Sequence, residues 1–271
     1  MSTSVIEAPQ SALPGLMAKS TRSFIPDAWN VMVRELRPVV RDPFSVVFGL
    51  VQPLVFIALF GPLLVGLTAG PAALTLQWFV PGVLVMVALF TTGTTGANLQ
   101  NEMLTGSHER TLVAPLSRQA LLVGRALKEI VPLVAQALII SLVTLPFGFR
   151  PNAAGFVIGL AILAVFGVGF GALSYALALA VRKSEWMFWM VQQSVVFPLM
   201  ILSGMLLPIE EGPRWLQVAA DLNPLKYIVS AERALFAGDL ANAAVWRGSA
   251  AAAFVAVLGL VLGTRGMRKS G

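Results

Sequence analysis

Side chains able to do chemistry are scarce in these 271 residues, and the most suggestive stand together: the only histidine, His108, is followed directly by Glu109 and Arg110. Neighbours in sequence point about 100° apart on a helix, so one of Glu109 and Arg110 can bond a partner while the other braces the adjoining loop. Enzymes and ion-coupled carriers need titratable groups beside the chemistry they perform. Around His108 the companions are missing. No second histidine is present to share a zinc ion, and neither a G-x-S-x-G elbow nor a Walker G-x-x-x-x-G-K-[ST] loop occurs anywhere. Hydrolysis of ATP or lipid by this chain is therefore not expected, and no catalytic residue or metal ligand is assigned. Cysteine is absent, which leaves no disulfide or thiolate metal site.

The elements that must hold this trio are short. Between Asn101 and Ile130, Gly106 breaks a helix, and Glu109 and Arg110 fall in a short helical piece with Leu112 and Val113. Pro115 ends that piece, and Ser117 can cap the longer helix that follows. A compact helix is thereby displayed between two hydrophobic stretches. Its plain use is an interfacial hairpin that serves topology alone; its sharper use is a docking point for a partner.

Composition says what surrounds it. Hydrophobic residues make up 57% of the chain and charged ones 12%, against about 25% charge in soluble domains, which is too little for a water-facing surface. A helix rising about 1.5 Å per residue needs about 20 apolar residues to cross a ~30 Å hydrocarbon core. No charge occurs from Pro43 to Asn101, 59 residues that suffice for two crossings. Further uncharged runs follow at Ile130–Phe149, Pro151–Val181, Trp186–Ile209 and Gly248–Thr264. An all-α, polytopic membrane protein with six transmembrane helices is predicted. None of the six holds Asp, Glu or Lys near its centre, where proton-driven carriers usually keep one.

A formal charge of +6 raises nucleic acid as a partner, yet the basic residues flank the spans and point to membrane lipid instead. Fourteen of the nineteen Lys and Arg, including Arg37, Arg41, Arg125, Lys128 and Arg182, fall on one side. The other five, Arg150, Arg214, Lys226, Arg233 and Arg247, fall on the opposite side. The positive-inside rule then predicts a multi-pass protein of the inner (plasma) membrane with both termini cytoplasmic. Residues 1–25 hold no apolar signal-peptide core and read as a flexible cytoplasmic tail. Residues 26–42 repeat Trp29, Val33, Leu36 and Val40 at helical spacing, with Arg34, Arg37 and Arg41 elsewhere. That pattern predicts an amphipathic helix lying in the membrane interface and kinked at Pro38. Residues 43–271 then form the six-span domain.

Two stretches inside the spans offer residues for a path. Thr91, Thr95 and Asn98 of the second span, within TTGTTGAN, either line a path or, with the glycines, let helices approach closely. Met190, Gln192, Gln193 and Phe197 of the fifth either meet varied apolar ligands or fill ordinary helix contacts. The connection from Pro208 to Val245 is too amphipathic for a bare loop. Asn223 can cap a helix, Pro224 fits its first position, and Leu225, Ile228, Val229, Leu235 and Phe236 give it an apolar face. Gly238 can end it, and a shorter helix around Trp215–Leu222 precedes it, so two half-buried outer helices are expected.

The run GSHERTLVAPLSR, Gly106 to Arg118, resembles the G-x-x-E-R-x-x-x-x-P-x-S-R signature of type-2 ABC exporter permeases, notably the daunorubicin-resistance group. RDPFSVVFGLVQPLVFIALF, Arg41 to Phe60, is similar to that family's first span, and Ser203 to Gly238 to its outer helices, with Asn223, Pro224 and Arg233 in place. The resemblance implies a permease without an ATPase of its own, exporting a hydrophobic drug, lipid or glycolipid. It also implies a homodimer that engages two copies of a separate ABC ATPase subunit, the holder of ATP and Mg. Gly106, Ser107, His108, Glu109, Arg110, Leu112, Pro115 and Arg118 would form the coupling segment. His108 departs from the family, where many relatives carry an apolar residue. A stand-alone secondary carrier and a membrane anchor without ATP coupling are the competing readings.

Overall fold

A computed structural model describes residues 24–41, 43–68, 71–106, 118–182 and 184–269. Ser107, His108, Glu109, Arg110, Leu112 and Pro115, like the tail before residue 24, lie outside the described residues. Helices account for every long element: α1 (Phe24–Arg41), α2 (Pro43–Thr68), α3 (Ala72–Leu104), α4 (Arg118–Lys128), α5 (Ile130–Thr144), α6 (Ala153–Ala180), α7 (Glu185–Leu202), α8 (Arg214–Asp221), α9 (Pro224–Phe236) and α10 (Ala243–Lys269). No strand occurs among the described residues.

Five stretches of helix are long and apolar enough to cross a membrane: Val47–Gly66, Ala72–Leu104, Gln119–Phe147, Ala153–Ala180 and Ala243–Arg268. The chain is a multi-pass membrane protein. Apolar side chains on the outside of the bundle fit that setting, because α2 presents Phe44, Phe48, Val51, Val55 and Leu59 outward at helical spacing. Exposed tryptophans mark both ends, Trp29 and Trp186 at one and Trp215 and Trp246 at the other, as aromatic residues do at the two interfaces.

Three spans depart from their expected bounds. The second, expected near Phe79–Leu99, is longer and begins at Ala72. The third starts at Arg118 and not near Ile130, because Arg125 and Lys128 find buried partners and the helix breaks only at Glu129, three residues before Pro132. The stretch expected to span as far as Ile209 ends at Leu202, where the Ser203 hydroxyl donates to the Met200 carbonyl at 2.6 Å and Gly204 turns the chain at φ 71°. This α7 has 18 residues with Gln192, Gln193 and Ser194 in its middle, and it is not among the five. It nevertheless runs alongside the part of α3 between Gln100 and Trp78: Gln100 donates to Val181 just before α7, at 3.2 Å, and Arg233 links Trp78 to Gly204 just after α7.

Packing centres on α6, which touches α3, α4, α5, α7, α9 and α10. Gly169 and Gly259 bring α6 and α10 together, since a Cβ on either would collide with the other helix's backbone. At the end where α3 finishes, a smaller core joins Val31, Leu99, Leu122, Tyr175, Phe188 and Met267. There α1 lies on α4 through Ala28 and Val31, against Gly124. On the other side of α1, Trp29 and Val40 stay exposed.

Candidate coupling and transport site

Charged residues of three helices, α1, α3 and α4, meet at the end where α3 finishes, together with Glu129 just after α4. On α4, Arg125 is 4% exposed and pairs with Glu102 of α3; its Nε stands 3.7 Å from Oε1 of Glu35 on α1, and its Nη1 donates to the Tyr175 hydroxyl of α6 at 3.4 Å. Lys128 Nζ lies 3.9 Å from Glu35 and 3.8 Å from Glu129. Glu129 in turn accepts from the Thr95 hydroxyl at 3.2 Å. Arg125 and Lys128 share a face because they are three positions apart, and Gly124 lets α1 come close enough for Glu35 to reach them. Removing one partner from such a buried cluster strands a charge and typically costs about 3–5 kcal/mol. Glu102 precedes the stretch 107–117 and Arg125 follows it, so their pair ties the chain on one side of that stretch to the chain on the other.

A polar thread continues into the bundle. Thr91 donates to Gln136 Oε1 at 2.6 Å, and the Gly93 carbonyl accepts from the Ser174 hydroxyl at 2.6 Å and from Gln192 Nε2 at 3.3 Å. Beside Ser174 and Gln192 opens a cavity of about 310 Å³ between α6, α7, α9 and α10, otherwise apolar and walled by Phe166, Phe170, Leu225 and Phe254. Its size is at the low end for small-molecule pockets. A second apolar cavity, of about 640 Å³, lies between α2, α3 and the end of α5.

The expected path residues separate. Thr95 and Gln192 join the thread, Thr91 is tied to Gln136, and Asn98 is exposed on α3. Met190 and Phe197 face outward, 51% and 49% exposed, and the buried Gln193 Oε1 has no hydrogen-bond partner among the described residues. Of the coupling segment, Gly106 ends α3 at φ 70° and Arg118 opens α4.

At the opposite end α9 is anchored at both termini. Asn223 Oδ1 accepts from the Leu225 amide at 3.0 Å while its Nδ2 donates to the Leu199 carbonyl at 2.7 Å, and Pro224 takes the first helical position. Arg233 donates to the carbonyls of Trp78 and Gly204. Burial pulls its guanidinium down to about 10, an effect that Glu210 partly offsets. Gly238 follows the helix at φ 89°.

Sequence reasoning missed Glu35, Glu102, Glu129 and Tyr175 as site residues, and counted Arg125 and Lys128 only as flanking charge. A signal was available: Glu35, Arg125 and Lys128 fall on the inner faces of amphipathic helices. It also overlooked Glu232, discussed below.

Residues 27–237 match the ABC-2 type transporter family. The daunorubicin resistance ABC transporter permease protein DrrB1 of Streptomyces coeruleorubidus is 27% identical over 198 residues, covering 72% of this chain and 70% of that one. The putative transport permease ycf38 of Cyanophora paradoxa is 29% identical over 225 residues, 79% and 75% of the two chains. The probable multidrug ABC transporter permease YbhR of Escherichia coli (strain K12) is 26% identical over 180 residues, 63% of this chain and 46% of that protein. Permeases of this kind transport rather than hydrolyse, and they work with ABC ATPase subunits. The chain belongs to the ABC-2 type transporter family.

Proposed function

We propose that this chain is the transmembrane permease subunit of an ATP-driven exporter that moves a hydrophobic drug, lipid or glycolipid out of the cytoplasm. The observation that carries the reading is the Glu102–Arg125 pair, which joins the chain before the stretch 107–117 to the chain after it, in a cluster shared by α1, α3, α4 and α6. A push delivered to Gly106–Arg118 by a partner ATPase would reach the spans through this cluster. That partner, in two copies, binds ATP and Mg. The cavity beside Ser174 and Gln192 supplies an apolar seat with few polar contacts, which suits a hydrophobic cargo.

In this reading α7 is the sixth crossing, supported by its course alongside α3 between Gln100 and Trp78, and α1 lies in the interface with Trp29 outward. Six crossings return both termini to one side. The excess of basic residues makes that side the cytoplasm of the inner (plasma) membrane. A second copy of the chain completes the path as a homodimer, with the outward-facing aromatic and thioether side chains of α7 available for contact. Inside-out vesicles holding the permease and its co-purified ATPase test the whole. ATP should drive uptake of a hydrophobic dye in the presence of a proton uncoupler, whereas uptake abolished by the uncoupler would favour a secondary carrier.

A further inference from the structure

Glu232 falls on the apolar face of α9, at helical spacing between Ile228 and Phe236, and it is fully buried. Neither carboxyl oxygen has a hydrogen-bond partner among the described residues. Across the interface lies α6, whose glycines make the room: a Cβ at Gly159 would collide with the Glu232 carboxyl, and one at Gly155 with the Leu235 carbonyl. The closeness of the two helices thus depends on where this carboxyl sits.

Among the described residues no charge is positioned to neutralise it. On α9, Lys226 pairs with Asp221 at 2.7 Å and Arg233 is occupied by two carbonyls. The facing α6 carries no Asp, Glu, Lys or Arg, and its Tyr175 is engaged with Arg125 near the helix's other end. The one charged residue of α3, Glu102, belongs to that same cluster. On α10, Arg247 is exposed, and Arg265, Arg268 and Lys269 belong to its last turns. The remaining neighbours, α7 and α8, offer Glu185 in the first turn of α7 and the exposed Arg214. Burial alone pushes the Glu232 carboxyl up to about 8. An isolated carboxylate in such surroundings would have neither donor nor counter-charge.

We propose that Glu232 is a proton-binding site that latches the outer helix α9 onto α6: with the proton bound the helix seats on Gly155 and Gly159, and on losing it to water the carboxylate lifts α9 away to be hydrated. The proposal stands apart from the ATP coupling above. Its pH window follows from linkage. The folded carboxyl holds its proton more tightly than the displaced one, so the stability of the seated helix is complete below the ordinary carboxylate value of 4.5, is lost as pH rises to about 8, and falls no further beyond.

The chain's lack of cysteine makes the test direct. Leu235→Cys, buried under the seated helix, is labelled by a maleimide in the full chain held in lipid nanodiscs between pH 6 and pH 9. Rates are normalised to the exposed control Leu240→Cys, which removes the pH dependence of thiolate itself. The normalised rate should rise on the order of tenfold or more across that range, and Glu232→Gln, a neutral isostere, should hold it flat at the low value. A flat profile in the Glu232 background overturns the proposal, and so does an equal rise with and without Glu232. Glu232→Met, similar in length and uncharged, replaces Gln if the amide variant fails to insert. Loss of this pH response with ATP-driven uptake intact would refute the latch and spare the exporter assignment.

Discussion

The guanidinium carbon of Arg233 stands 3.8 Å from the centroid of the Trp78 ring, while Nε donates to the carbonyl of that same tryptophan at 3.0 Å and Nη2 to Gly204 at 2.8 Å. One side chain therefore fastens α9 to the start of α3 and to the turn after α7. Lysine keeps the charge but lacks the planar fork and the stacking face. Arg233→Lys is expected to lower stability by about 1–3 kcal/mol, read as a drop in Tm of the detergent-purified chain. Unchanged Tm would mean that these contacts contribute nothing.

Leu235 is fully buried against α6, its carbonyl packed on Gly155. Leu235→Asp puts a carboxyl where no donor waits, at a cost on the order of 3 kcal/mol. Export should fall well below that of the parent at equal membrane abundance, because α9 is too short to span and its loss spares insertion. Normal export at normal abundance would count against a packed outer helix.

Local chemistry is what the sequence displays well. Asn223, Pro224 and Gly238 bound α9 because capping and left-handed termination involve residues only a few positions apart. Glu232 escapes the same kind of reading. A charge on an apolar face looks like an interruption, yet its spacing matched Ile228 and Phe236, and only the glycines of α6, some 70 positions earlier, make room for it. Likewise Arg125 reads as a topogenic charge until Glu35 arrives on α1 from about 90 residues away. Pairing over such separations leaves no local pattern. Thr95 and Gln192 could be singled out as polar residues in apolar spans, but that the Gly93 carbonyl ties Gln192 to Ser174 could not.

Arg125 carries the ionic cluster, so its loss should matter more than that of any single acid. Arg125→Met leaves Glu102 and Glu35 facing a neutral chain and is expected to cost about 3–5 kcal/mol. Glu102→Gln keeps a hydrogen-bond acceptor for Arg125 and should cost less. Thermal unfolding of both variants and of their combination measures the coupling; additive effects would deny that the two residues act as a pair.

Orientation can be read with single cysteines in intact cells. An impermeant thiol reagent should reach Asp239→Cys or Leu240→Cys, in the exposed turn after α9, and should miss Ser2→Cys and Ser270→Cys. Labelling of either terminus would reverse the topology, and with five crossings instead of six only one terminus would be protected.

The functional assignment rests most heavily on the coupling segment. Glu109 and Arg110 point about 100° apart if helical, so one can meet the ATPase while the other braces the loop. A charge buried at a protein interface and stripped of its partner typically costs roughly 2–5 kcal/mol, enough to uncouple an assembly. The permease itself should survive that loss, because its spans are held by apolar packing and by the Arg125 cluster outside the segment. Glu109→Lys reverses the contact, and Leu112→Pro breaks the short helix that would present it. Both variants should abolish ATP-driven uptake and reduce co-purification of the ATPase while insertion and Tm stay near those of the parent. Reduced insertion would trace the loss to folding, and for that case Glu109→Gln, neutral and nearly isosteric, supplies the milder comparison. If all three variants transport normally and retain the ATPase, Gly106–Arg118 is a passive hairpin and force must enter the bundle by another route.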